Sequence, residues 1–136
     1  MQIDIGFGDV VTPAAEEIEF PTLLDLPASR VRAYPRESVV AEKFHAMVEL
    51  GMQNSRMKDF HDVFVLSQMF EFSGASLSAA LKATFGRRGT PLPSTVPLAL
   101  TDEFSKDLMK QQQWSAFLRK SQLRILVACA RSGANI

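Results

Sequence analysis

The stretch "SVVAEKFHAMVELGMQNSRMKDFHDVFVL", residues 38–66, decides how the rest of the chain is read. It divides into two amphipathic helical segments around a short polar turn. Val39, Val40, Phe44, Met47 and Val48 give the first a helical stripe, expected over 37–50. Gly51 suits a C-terminal cap, and Asn54 or Ser55 suits the cap of the second helix, expected to reach about residue 70. The second stripe is Phe60, Val63, Phe64, Leu66 and Phe70. Two charges interrupt this pattern. In steps of four, Lys43 falls in a row with Val39 and Met47, and Asp59 shares a row with Val63.

An unpaired charge on a buried face costs several kcal/mol, so Lys43 and Asp59 need partners, water or a ligand. Two readings are open. In one, they form a half-buried ion pair tying the helices together, or Lys43 snorkels to water. In the other, both face a cleft that takes a phosphate-bearing ligand. Arg56 and Lys58 at the start of the second helix favour the latter, because a helix N-terminus with cations nearby is a ready anion site. Asp59 and Asp62 lie three apart near one face, as a divalent-cation pair or as two solvated acids.

Outward from this core the chain is mixed. "QIDIGFG" at residues 2–8 alternates Ile3, Ile5 and Phe7 with polar or small residues, a strand pattern. Pro13, Pro21, Pro27 and Pro35 punctuate the next segment, leaving extended pieces over 17–20 and 30–34. A third helix is expected over 77–87 with Ser76 as its cap. A fourth is expected over 102–120, capped by Thr101, and the tail at 121–136 can continue it without a stop signal. Arg87 and Arg88 before Gly89 read as a helix end first and a phosphate contact second. The methionines and phenylalanines read as core.

The chain has 136 residues, enough for one domain with a real core. Its one cysteine, Cys129, excludes an internal disulfide. No apolar run approaches the roughly 20 residues of a membrane span, and no signal-peptide pattern opens the sequence, so a soluble cytoplasmic protein is expected. The net charge is zero, yet residues 1–28 carry six acids and no Lys or Arg, leaving 15 bases against nine acids in the rest. That excess suits phosphate contacts or a mixed solvated surface, not a histone-like field.

"AEKFHAM" followed by "RMKDFHDVFVL" resembles the third and fourth motifs of the AbiEii/AbiGii-type nucleotidyltransferase toxins, which run Ala-Glu-Lys and then Arg-x-Lys-Asp-x-x-Asp. "QIDIGFGD" resembles their second motif. The resemblance implies a polymerase-beta-like nucleotidyltransferase that moves NMP from an NTP to an acceptor with Mg²⁺, in some members to the 3′ end of tRNA. It implies a cognate antitoxin as partner. It places Asp4 as a metal-binding catalytic carboxylate, Lys43 on the triphosphate and Asp59 as the essential acid. Arg56, Lys58 and Asp62 would shape the nucleotide site. Positioned phosphates, charge neutralisation and metal ions are what such chemistry needs.

The family's first motif, Gly-Ser before an Asp-x-Asp strand, is absent from these residues; Ser73–Gly74 and Ser132–Gly133 precede no paired acids. The expectation is a C-terminal portion of such an enzyme, inactive by itself. It is an α+β, mostly helical chain with an incomplete nucleotidyltransferase fold. Residues 1–35 would be a remnant of the sheet, and 36–136 a helical region of about four helices. Two other readings stand beside it. A non-catalytic helical module would bind antitoxin, RNA or a second copy of itself. A metal-dependent phosphohydrolase of the HD type would use His61–Asp62 with His45 and Glu49; otherwise the histidines are helix-surface residues.

Overall fold

The computed structural model describes residues 11–22 and 27–121. The strand expected at 2–8 and the tail from 122 lie outside them. A two-stranded antiparallel hairpin, β1 (Glu16–Phe20) and β2 (Ser29–Ala33), precedes five α-helices. These are α1 (Arg36–Leu50), α2 (Met57–Met69), α3 (Gly74–Arg88), α4 (Asp102–Lys106) and α5 (Leu108–Lys120). Short 3₁₀ turns at Gly51–Gln53 and Leu98–Leu100 follow α1 and precede α4. The chain is thus α+β and mostly helical, as expected. No described helix is long and apolar enough to cross a membrane.

The hairpin register opposes Glu17 to Arg32 and Glu19 to Arg30 on one face, and Ile18 to Val31 on the other. Opposite charges directly across a pair contribute roughly 0.2–1 kcal/mol each. The chain before the hairpin is pinned to α1: the Thr12 N–H donates to Ser38 Oγ (3.0 Å), and that hydroxyl donates to the Thr12 carbonyl (2.9 Å).

The helical body has two packing seams. α1 meets α3 through Ala41 and Ala80, both essentially buried, whose small side chains let the backbones approach. Phe85 fills this seam against Phe44 and His45. The second seam is a core of Met47, Met57, Ala99 and Phe104, with Phe60, Val63 and Trp114 packed on it. It joins α1, α2, α4 and α5.

Four local expectations are corrected. The third helix starts at Gly74, because Ser73 supplies the capping oxygen, accepting from the Ser76 N–H. Neither Asn54 nor Ser55 caps α2; Arg56 takes that position without a side-chain cap bond. The fourth helix is two helices: Asp107 adopts extended backbone (ψ 129°) and accepts from the Lys110 N–H (2.9 Å), which starts α5 afresh. Finally, Phe20, Phe64, Met69, Phe70 and Met109 are exposed rather than core. The inner side of α2 runs through Met57, Phe60 and Val63; Phe64 falls in the Met57 row two turns further on and is 58% exposed there. Gly51 and Gly89 do end their helices, both at positive φ (47° and 66°) where a side chain would be strained.

Phe85→Ala should therefore cost about 3–5 kcal/mol of unfolding free energy. Phe64→Ala, on the same scale of truncation, should cost under about 0.5 kcal/mol. Urea denaturation of the two variants checks the assignment of the stripe.

Candidate functional site

α1 presents Lys43 toward the first two turns of α2, and α2 answers with Asp59 and Asp62. The Lys43 ammonium lies 2.7 Å from Asp59 Oδ1 and 2.8 Å from Asp62 Oδ2. The three side chains are between 15% and 24% exposed, so the contact is half-buried. Lys58 Nζ shares the same Asp62 oxygen, and Arg56 Nη1 stands 3.9 Å from Asp59 Oδ2. The result is an alternating row, Arg56–Asp59–Lys43–Asp62–Lys58. Three cations face two carboxylates. Each acid is shared between two bases, which is why α2 can hold two carboxylates one turn apart without repulsion dominating.

The sequence-predicted residues Lys43, Arg56, Lys58, Asp59 and Asp62 are therefore brought together by the α1–α2 pairing. Asp4 lies outside the described residues. The ion-pair reading of Lys43 and Asp59 is correct as geometry, with Asp62 as a second grip. It does not exclude the cleft. Lys43, Arg56 and Asp59 line an open cleft of about 270 Å³ whose other wall carries Glu42, His45 and Arg88. Lys43 and Asp62 also line a second depression, next to His61. Lys43 is thus common to both.

The electrostatics derive from this placement. Burial alone would lower the pKa of Lys43, but the hydrogen bonds and charges of Asp59 and Asp62 outweigh it and raise the value above its ordinary 10.5. Burial pushes Asp62 up, and the hydrogen bonds from Lys43 and Lys58 outweigh that, holding it below 3.8. An ammonium has three N–H donors. Two are engaged by Asp59 and Asp62, and the third has no partner among the described residues.

Other groups at the cleft entered the sequence reading only as secondary candidates. Arg88 Nη2 donates to Glu42 Oε2 at 2.7 Å, closing the wall between α1 and α3. His45 is buried, not a surface histidine. Its Nε2 is 3.0 Å from Thr90 Oγ1, its Nδ1 is 3.5 Å from Glu49, and its ring stands edge-on to Phe85. His61 instead lies beside Asp62 (3.7 Å) and against Phe117. The two histidines line different depressions. Among the described residues no group of three or more His, Cys, Asp and Glu could hold a metal ion. The described acids fit cations of the protein, and Asp59 and Asp62 by themselves do not fit Mg²⁺.

The family model of the nucleotidyl transferase AbiEii toxin, type IV toxin–antitoxin system, matches residues 1–125. The match spans most of the 136 residues, and the chain belongs to that family. Comparison with curated proteins and with solved structures gives no match.

Two consequences can be measured. Lys43→Met leaves two half-buried carboxylates facing each other, and should cost about 2 kcal/mol, between an exposed pair and a fully buried one. The pH course is set by the signs of the shifts. Asp62 is depressed, so its contribution is present above 3.8 and lost as pH falls through its lower folded value. Lys43 is raised, so its contribution is present below 10.5 and lost as pH rises through its higher folded value. The stability gap between wild type and Lys43→Met should stay level from about pH 6 to about pH 9 and close on both sides. Urea titrations across that range provide the test.

Proposed function

We propose that this member of the family carries the phosphate-binding part of a nucleotidyltransferase toxin's NTP site. The observation that supports it is the row Arg56–Asp59–Lys43–Asp62–Lys58 at the cleft, with one Lys43 N–H unspent. Asp59 and Asp62 hold the ammonium rigid and fully protonated at neutral pH. Lys43 then donates to a phosphate oxygen without reorganisation, which is how a preorganised donor outperforms a mobile one. Arg56, 64% exposed on its side chain, extends a guanidinium that can take two phosphate oxygens. Lys58 keeps Asp62 from recapturing a proton and adds positive field.

In this reading the substrate is an NTP presented as its Mg²⁺ complex, and NMP passes to an acceptor such as the 3′ end of tRNA. By the family resemblance, Asp4 would hold the Mg²⁺ that neutralises the phosphates. A cognate antitoxin is the corresponding partner. The β1–β2 hairpin is read as a remnant of the nucleotidyltransferase sheet and α1–α5 as its helical region. The chain by itself binds nucleotide rather than transferring it, because its 136 residues contain no Gly-Ser…Asp-x-Asp motif. The helical-module reading keeps one supporting observation: Leu108 and Met109 on α5 are strongly exposed.

Calorimetric titration of Mg²⁺ with ATP, GTP, CTP and UTP into the chain should reveal binding for at least one. Lys43→Ala should weaken it about tenfold or more, the worth of a charge-assisted hydrogen bond. Equal affinity in the variant would overturn the assignment. Incubation with labelled NTP and tRNA should give no transfer by the chain alone. Transfer that disappears in Lys43→Ala would show that these residues suffice for catalysis.

A further inference from the structure

Lys110 is the one buried Lys or Arg among the described residues, 6% exposed. No described carboxylate pairs with it. Its ammonium donates instead to the Asn54 carbonyl (2.9 Å) and, more weakly, to Gln113 Oε1 (3.4 Å), and stands 5.2 Å from the Phe104 ring centroid. A buried cation held by one main-chain oxygen, an amide and a ring face is costly. What it holds explains its presence.

Asn54 ends the 3₁₀ turn after α1 and is completely buried. Its Oδ1 accepts from the Arg56 N–H at 2.8 Å, while its own N–H donates to the Gly51 carbonyl. Its Nδ2 is buried with no described partner, a penalty of about 1–3 kcal/mol by itself. The start of α2 depends on this residue. α3, α4 and α5 have side-chain caps from Ser73, Thr101 and Asp107, but α2 has none. The first turn of α2 carries Arg56, Lys58 and Asp59. So a continuous set of bonds runs from α5 to that turn: Lys110 to the Asn54 carbonyl, Asn54 Oδ1 to the Arg56 amide.

We propose that Lys110 is a positioning residue for the cleft, fixing the start of α2 so that Arg56 and Asp59 meet Lys43. This rests on the nucleotide reading above. Lys110 touches no phosphate; it acts through Asn54.

The experiment uses the full chain with Lys110→Met, which keeps the apolar stem, and Ser73→Ala, a control that removes the cap at the start of α3, the end of that helix away from Arg88. Amide hydrogen exchange and Mg²⁺–NTP titration are measured on both. Lys110→Met should speed exchange at Arg56, Met57 and Asp59 by about tenfold or more while α3 stays protected. It should weaken nucleotide binding by about tenfold, the usual scale for an outer positioning group. Ser73→Ala should speed exchange in the first turn of α3 and leave affinity unchanged. Wild-type exchange at Arg56–Asp59 in Lys110→Met, or a uniform rise across all helices, overturns the proposal. So does a loosened α2 start with unchanged affinity. Wild type that binds no NTP overturns the nucleotide reading and with it the cleft role of Lys110; the exchange arm then still decides whether Lys110 holds α2.

Discussion

The Lys43 ammonium lies between two carboxylates of the neighbouring helix, and neither partner could be dispensed with cheaply. A half-buried cation facing one acid would retain much of its desolvation cost. Facing two, it is overcompensated, and the surplus negative charge is taken up by Lys58 and Arg56. The row is stable only as a whole. It also fixes the angle and register of α1 against α2, because Asp59 and Asp62 must both reach one nitrogen. Stability alone does not call for such a device. Apolar residues of similar volume usually do as well or better at a buried site. The row lies beside an open cleft, and the proposed phosphate site gives its charges a task beyond stability.

Much of this was legible in the sequence for a simple reason: a charge on an apolar helical row is conspicuous. The period placed α1 and α2 within a few residues, and the misfit identified Lys43 and Asp59. The double use of Asp62 was not readable, since spacing puts it near Asp59 without saying that one lysine would satisfy both. The break between α4 and α5 was hidden because Lys106, Asp107 and Leu108 contain no Gly or Pro. An Asp with a backbone N–H three residues on was the available signal, and the helix-favouring neighbours masked it. Lys110 was the least legible. It stands beside the run Gln111–Gln113, reads as solvated, and is buried only because the α4–α5 break turns that face of α5 onto the connector.

The two histidines part ways for a reason of the same kind. Both sit in helices at positions that read as surface. His45 is drawn inside because small Ala41 and Ala80 bring α1 and α3 together, and Thr90, just past the Gly89 cap, meets its inner nitrogen. His61 stays half-exposed against Phe117. A metal site would require them to converge, and the helix pairings direct them to different depressions.

The charge balance of the cleft sets its chemistry. Lys43, Arg56 and Arg88 line it, and so do Glu42, Glu49 and Asp59. Three charges of each sign leave little net field to draw in a free triphosphate. The acids are not equivalent, however. Glu42 is held by Arg88 and Asp59 by Lys43, whereas Glu49 is 60% exposed and lies beside His45. The donors that remain directed outward are concentrated at the α2 side, around Lys43 and Arg56. Such a surface discriminates by geometry more than by charge. In the proposed reading it takes a phosphate chain already partly neutralised by a divalent cation; a bare polyanion such as an RNA backbone depends on a surplus of positive field that this cleft lacks. If RNA is the acceptor, its binding surface therefore has to lie elsewhere than this cleft.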